Sequence, residues 1–313
     1  MKPIEMLQRM LLIRAYELRL AALQQAGPFP MTCSSQGQEA SAVGVMAALS
    51  ADDRILTNHR SAGHLLARGA DPARVLAEVM GKSTGYCKGK SGSLHISAAE
   101  LGVVLTSTIV GGELSMAPGV ALARKMRHEP GMVVCFFGDG AACEGIFHES
   151  LNLASVWQLP ILYVCENNQW QAFVRRHETM RTEHISQWAA GYGISHRSVD
   201  GNDVSAVYEA TRTAACHIRQ SGQPCLLETM TYRQRGHYSG DDEAHITASE
   251  REPWLARDPI TQWSSHLLAT GQLTEQDLAR MHQQAQDRID AATEQAQAAP
   301  YPASEELLTD VYA

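Results

Sequence analysis

The sequence predicts an α/β fold: a mainly parallel sheet with helices on both faces. Three observations carry that expectation. Two apolar runs, 132–137 (MVVCFF) and 161–165 (ILYVC), bracket a helical segment that ends near Val156. Gly138-Asp139-Gly140 and Asn167-Asn168 stand at or just past the ends of those runs. Further strand and helix signals alternate downstream. Two continuous apolar strands joined by a helix read as parallel neighbours buried on both faces, with a right-handed crossover.

Taken in order, residues 4–25 are apolar but interrupted by Glu5, Arg9, Arg14, Glu17 and Arg19, which predicts an amphipathic helix and not a leader peptide. Gly27-Pro28-Phe29-Pro30 is a turn, and residues 37–49 carry the small, apolar spacing of a closely packed helix. Residues 81–112 contain seven glycines and weak periodicity. This segment is expected to form ordered loops shaped around a ligand, a mobile surface loop being the alternative. After the strand, helix and strand described above come a strand at 194–199, a helix at 204–221 and a strand at 224–232. From about Asp258 the chain is helical and polar. Without a repeat or a linker, residues 1–260 are expected to form one domain and 261–313 its helical extension.

The 313 residues, 44% hydrophobic and 19% charged, suffice for one large core or two modest ones. A net charge of −8 with dispersed Lys and Arg argues against a nucleic-acid or anionic-membrane partner and for a small molecule. The sequence has no run of 18 uncharged apolar residues, so no membrane span is expected. Seven cysteines, odd in number and without paired metal-ligand spacing, imply reduced thiols in a cytoplasmic protein and no zinc site.

Ligands of open parallel sheets bind beyond the carboxyl ends of the strands. Asp139 and Asn168 are expected there on adjacent strands, within reach of one point. A carboxylate, an amide oxygen and a backbone carbonyl form a hard oxygen set suited to Mg²⁺ bridging phosphates. Gly140 and Ala141 are expected to open a helix whose free N–H groups favour an anion. Gly-Asp-Gly alone arises by chance in roughly one chain of this length in fifteen, and an Asn pair ending the next apolar strand lowers that by roughly two orders of magnitude. The combination therefore carries the inference of a magnesium diphosphate site. A capping Asp with a turn Asn pair is the plainer alternative.

The segment GDGAACEGIFHESLNLASVWQLPILYVCENNQW resembles the thiamine diphosphate motif of the alpha subunits of 2-oxo acid dehydrogenase decarboxylating components, a group including pyruvate, branched-chain 2-oxo acid and acetoin dehydrogenases. The resemblance runs from about Met6 to Ile260. It implies a thiamine-diphosphate-binding fold with Gly138, Asp139, Gly140 and Ala141 at the diphosphate. It also implies Mg²⁺ held by Asp139, Asn168 and the carbonyl of Trp170. NHRSAGH resembles a Tyr-Arg-x-His-Gly segment, which places Arg60 near the diphosphate and His59 where tyrosine is usual; a surface ion pair is the other reading of Arg60. GKSGSLH resembles the glycine-rich segment before the cofactor loop. STIVGGE resembles the turn that grips the aminopyrimidine, implicating the carbonyl of Thr108 and the amide of Val110, although Val110 also reads as core. TYRQRGHYSGDD resembles the active-site loop, with Arg233 near the phosphates and His237 at the reacting centre, where its tunable pKa suits proton transfer.

The resemblance further implies a beta subunit that supplies the activating glutamate, in an assembly of two alpha and two beta chains. The substrate would be a 2-oxo acid or an acyloin, and a lipoyl-bearing acyltransferase would take the acyl group. Some positions depart from the family pattern. Cys33 stands where a substrate-facing histidine is common, Ala62 replaces the second histidine of the arginine segment, and Glu113 lies where glycine or glutamine is common. Cys143 replaces Asn or Ser, and EAHITASE lacks a Tyr-Arg pair. A carboligase or non-oxidative decarboxylase on the same scaffold is therefore the alternative, and a non-catalytic binding subunit a more distant one.

Overall fold

Six parallel strands carry the chain, which a computed structural model describes over residues 1–310. The first element is α1 (Pro3–Ala26). Its Met6, Met10, Ile13, Tyr16 and Leu20 recur every three or four residues and are buried, forming one apolar stripe. Then follow α2 (Glu39–Ala47), β1 (Arg54–Asn58), α3 (Ala62–Arg68), α4 (Pro72–Val79), β2 (Val103–Ser107) and α5 (Gly112–Met126). The crossover expected from sequence is β3 (Val133–Gly138), α6 (Gly145–Val156) and β4 (Ile161–Asn167).

A two-stranded antiparallel ribbon, β5 (Trp170–Gln171) with β6 (Val174–Arg175), and the short α7 (Arg176–Thr179) precede β7 (Ser195–Asp200). The chain continues through α8 (Val204–Ser221), β8 (Cys225–Met230), α9 (Ala248–Leu255), α10 (Pro259–Ala269) and α11 (Glu275–Ala298). Asp203 and Asp258 start α8 and α10 by accepting two backbone N–H bonds each, the capping that those free amides require.

Strand order in the main sheet is β2-β1-β3-β4-β8-β7, and every pairing is parallel. Side chains alternate between two cores. Val134, Phe136, Leu162 and Val164 face the layer of α1, α2, α4, α8 and α11, whereas Cys135, Phe137, Ile161 and Tyr163 face α5 and α6. Each such fully buried apolar side chain contributes about 1.5–3 kcal/mol, so an apolar run without alternation is what a strand covered on both faces demands.

Two features differ from expectation. β1 (RILTN) and β2 (VVLTS) were not anticipated: each has only five residues and ends in polar side chains, and β2 lies inside the glycine-rich stretch. Part of that stretch, in turn, is shaped around one of the protein's own side chains, while Ser107, Ile109 and Val110 line the main cavity. The buried Glu78 carboxylate accepts the N–H groups of Cys87, Gly89 and Ser91 at 2.7, 2.9 and 2.8 Å, so residues 85–91 fold around a side chain of α4.

Candidate active site

With all six strands parallel, the ends of β1, β2, β3 and β4 open on one side of the sheet. A cavity of about 340 Å³ lies there. At its floor, Asp139 follows β3 and is 1% exposed. Its Oδ1 accepts the Gly140 N–H at 3.1 Å, while its Oδ2 is buried without a partner. Burial pushes its pKa up to about 7, against the pull of the Gly140 N–H and the Arg233 and Arg176 guanidiniums. A buried carboxylate oxygen with no hydrogen-bond donor is suited to accept a cation.

The two asparagines that end β4 have different roles. Asn167 is fully buried and donates to Glu228 Oε1 at 2.7 Å, a bond internal to the sheet. Asn168 reaches the cavity, donating from Nδ2 to Gln38 Oε1 at 2.9 Å and accepting the Trp170 N–H on Oδ1 at 3.1 Å. Gln38 is there because Gly37 turns at φ +97° so close to Tyr232 that a Cβ would stand 2.5 Å from its carbonyl oxygen. Trp170 lines the cavity at the start of the ribbon. Among the described residues, no cluster of three or more His, Cys, Asp or Glu side chains could hold a metal ion. An ion here would rest on one carboxylate completed by amide and carbonyl oxygens, and the unpartnered Asp139 Oδ2 fits a hard cation of that kind.

Gly138, Gly140 and Ala141 line the same wall. Gly140 and Ala141 do not open an α-helix, however. Ala141–Cys143 is a single 3₁₀ turn, and α6 begins only at Gly145 after Glu144, so the expected anion site at a helix start becomes a tight turn of backbone beside Asp139.

Arg60 is buried, and its guanidinium holds the loop above the cavity. Nη1 donates to the Ser34 carbonyl at 2.8 Å, and Nη2 donates to the His237 carbonyl at 2.9 Å and to its Nδ1 at 3.0 Å. A guanidinium can only donate, so Nδ1 of His237 is an acceptor and the ring proton sits on Nε2. Burial, then Arg60 and Arg233, push the His237 pKa down to about 4, and its imidazole is neutral at pH 7. His59 lies 5.8 Å from it, ring centre to ring centre, and burial with the same cations pushes its pKa down to about 3.

Three predicted residues stand outside the cavity wall. Arg233 is buried behind it, donating to the Ala172 carbonyl at 2.8 Å, and burial lowers its pKa to about 10. The Thr108 hydroxyl is within 3.1 Å of His95 Nε2, next to the cavity-lining Ile109 and Val110. Cys33 lines a smaller neighbouring cavity with His59 and Ala62, and burial raises its pKa.

Glu113, in the first turn of α5, lines the main cavity, as does Glu166 at the end of β4. Gln38 and Glu166 escape sequence reasoning. The one available signal was Glu166 itself, a carboxylate interrupting an apolar strand just before the Asn pair. Its Oε1 stands 3.1 Å from His64 Nε2, and His64 Nδ1 stands 2.5 Å from the Thr57 hydroxyl, all three residues being buried.

The model of the dehydrogenase E1 component family matches residues 7–305. The chain is 40% identical, across 99% of its length and 93% of the relative's, to the alpha subunit of acetoin:2,6-dichlorophenolindophenol oxidoreductase from Bacillus subtilis. It is 36% identical to the Cupriavidus necator protein of the same name, over 97% and 92% of the two chains. Against the alpha subunit of the pyruvate dehydrogenase E1 component from Rhizobium meliloti it is 35% identical, over 97% and 88%.

Proposed function

We propose a reaction for a chain that belongs to the dehydrogenase E1 component family and is an alpha-type subunit of a thiamine-diphosphate-dependent enzyme: cleavage of the carbon–carbon bond beside a ketone carbonyl, in a 2-oxo acid or an acyloin such as acetoin. The observation that carries this reading is Asp139, a buried carboxylate with one unpartnered oxygen, beside Asn168 in a cavity at the ends of parallel strands.

Mg²⁺ would be held by Asp139, the Asn168 amide oxygen and the Trp170 carbonyl, with the diphosphate along Gly140 and Ala141. Thiamine diphosphate, when bound, supplies an electron sink for the bond that breaks. The chain's own residues position and neutralise charge. His237, fixed by Arg60 with its proton on Nε2, presents a neutral N–H donor to an oxygen that gains charge, a service that costs no reorganisation during reaction. Arg233 adds a positive field behind the wall. Val110 and Thr108 would meet the ring end of the cofactor, and Cys33 the substrate.

A beta-type chain would complete the site with the activating glutamate, in an assembly of two alpha and two beta chains, and a lipoyl group on an acyltransferase would accept the acyl product. Titration calorimetry of the alpha–beta complex with thiamine diphosphate and Mg²⁺ tests the core of this. Asp139→Ala is expected to weaken binding by at least about tenfold, the scale of a disturbed metal site. Unchanged affinity, or no binding to the parent complex, would reject the reading. Acyl transfer to lipoamide, set against acyloin formation, then separates a dehydrogenase from a carboligase.

A further inference from the structure

Among the described residues, Glu113 is the buried carboxyl of the cavity that neither the metal site nor a neighbouring cation explains. It occupies the first turn of α5, is 1% exposed, and has an Oε2 buried without a hydrogen-bond partner. It shares the cavity with Asp139, yet belongs to the stretch made by Ser107, Ile109 and Val110, on different strands and loops from the Asp139–Asn168 wall. The ionisable and charged groups around the same cavity are Cys135 on β3, Cys143 and Glu144 before α6, Glu166 on β4, and Asp139, Arg60, His59 and His237 on the other loops. No ion pair joins Glu113 to any of them, and its pKa is pushed up to about 7 by burial, opposed only by its own backbone N–H.

We propose that Glu113 is a proton-exchanging residue of the alpha chain, facing the ring end of the bound cofactor and additional to the glutamate that the partner subunit brings. The proposal rests on the thiamine diphosphate reading, in which a diphosphate anchored at Asp139 would leave the ring end of the cofactor to the part of the same cavity lined by Ile109, Val110 and Glu113. The exchange is reversible and balanced: the carboxyl O–H gives its proton to a ring nitrogen and becomes a carboxylate, and the carboxylate takes the proton back from the resulting N–H. A buried position without a resident ion-pair partner suits the task, because each protonation state is then set by the ligand and not by a salt bridge.

The test uses the alpha–beta complex with thiamine diphosphate and Mg²⁺, comparing the parent with Glu113→Gln, which keeps shape and removes the exchangeable proton. Calorimetry in two buffers of different ionisation enthalpy counts the protons taken up or released on binding at pH 7. The variant is expected to bind within about threefold of the parent while its proton count changes by about one half, the share carried by a group half ionised at that pH. Its kcat is expected to fall by at least about tenfold, at the low end of acid–base contributions, with loss of one limb of the pH profile and partial recovery in Glu113→Asp. Equal proton counts with an unchanged pH profile would overturn the proposal alone. Absence of cofactor binding in parent and variant alike would overturn the cofactor reading and this proposal with it.

Discussion

Glu113 and His59 make opposite demands on pH. Glu113 has a folded pKa of about 7, above its ordinary 4.5. Between those values the folded chain holds a proton that the unfolded chain has released, so stability falls as pH rises through that window and levels off above it. His59 has a folded pKa of about 3, below its ordinary 6.5, so the unfolded chain binds the extra proton and stability is lost as pH falls from 6.5 towards 3. Glu113→Gln should therefore match the parent in thermal unfolding near pH 4 and exceed it at pH 7.5, by at most about 3 kcal/mol at 1.36 kcal/mol per pKa unit. Parallel stability curves across that range would show that burial does not shift Glu113. At this scale the sequence was legible where a residue ends an apolar run, as Asp139 and Asn168 do. It was silent on Gln38, whose place depends on the approach of Gly37 to Tyr232, almost two hundred residues away in the chain.

Elements were readable in proportion to their length and burial. The β3–α6–β4 crossover and α8 stand where periodicity predicted, because a strand covered on both faces must be apolar throughout and an 18-residue helix repeats its stripe several times. β1 and β2 are too short to show a period, and their Thr, Asn and Ser ends read as loop although the sheet buries most of them. The glycine-rich stretch was legible only in part for a related reason: glycines mark positions that need unusual backbone, but not what the backbone at 85–91 encloses. Here it encloses Glu78, so Glu78→Ala should cost at least about 3 kcal/mol, since two or more bonds to a buried charge are lost at about 1.5–3 kcal/mol each. Hydrogen exchange should quicken at Cys87, Gly89 and Ser91 while the strands of the sheet stay protected. Uniform acceleration over the chain would mean that this loop is not an independent unit.

For the whole molecule, the cavity is an unfinished enclosure. Ile109 and Val110 on its wall are 67% and 52% exposed, and Phe173, beside the cavity-lining Ala172, is 52% exposed. Large apolar groups kept in water around a binding site indicate a surface that another chain covers, in accord with relatives whose names make them alpha subunits. Ile109→Glu with Phe173→Glu should leave the unfolding of the isolated chain nearly unchanged, since exposed substitutions away from special features shift stability by about 0.5 kcal/mol or less each. The same pair should abolish co-elution with a beta-type chain, because two carboxylates would be buried unpaired at the joint. Turnover should follow assembly: none from the isolated chain, restored on adding the partner to the parent and not to the double variant. Activity of the isolated parent chain equal to that of the complex would mean that the cavity already holds every group the reaction needs, and that the exposed apolar rim has some other purpose.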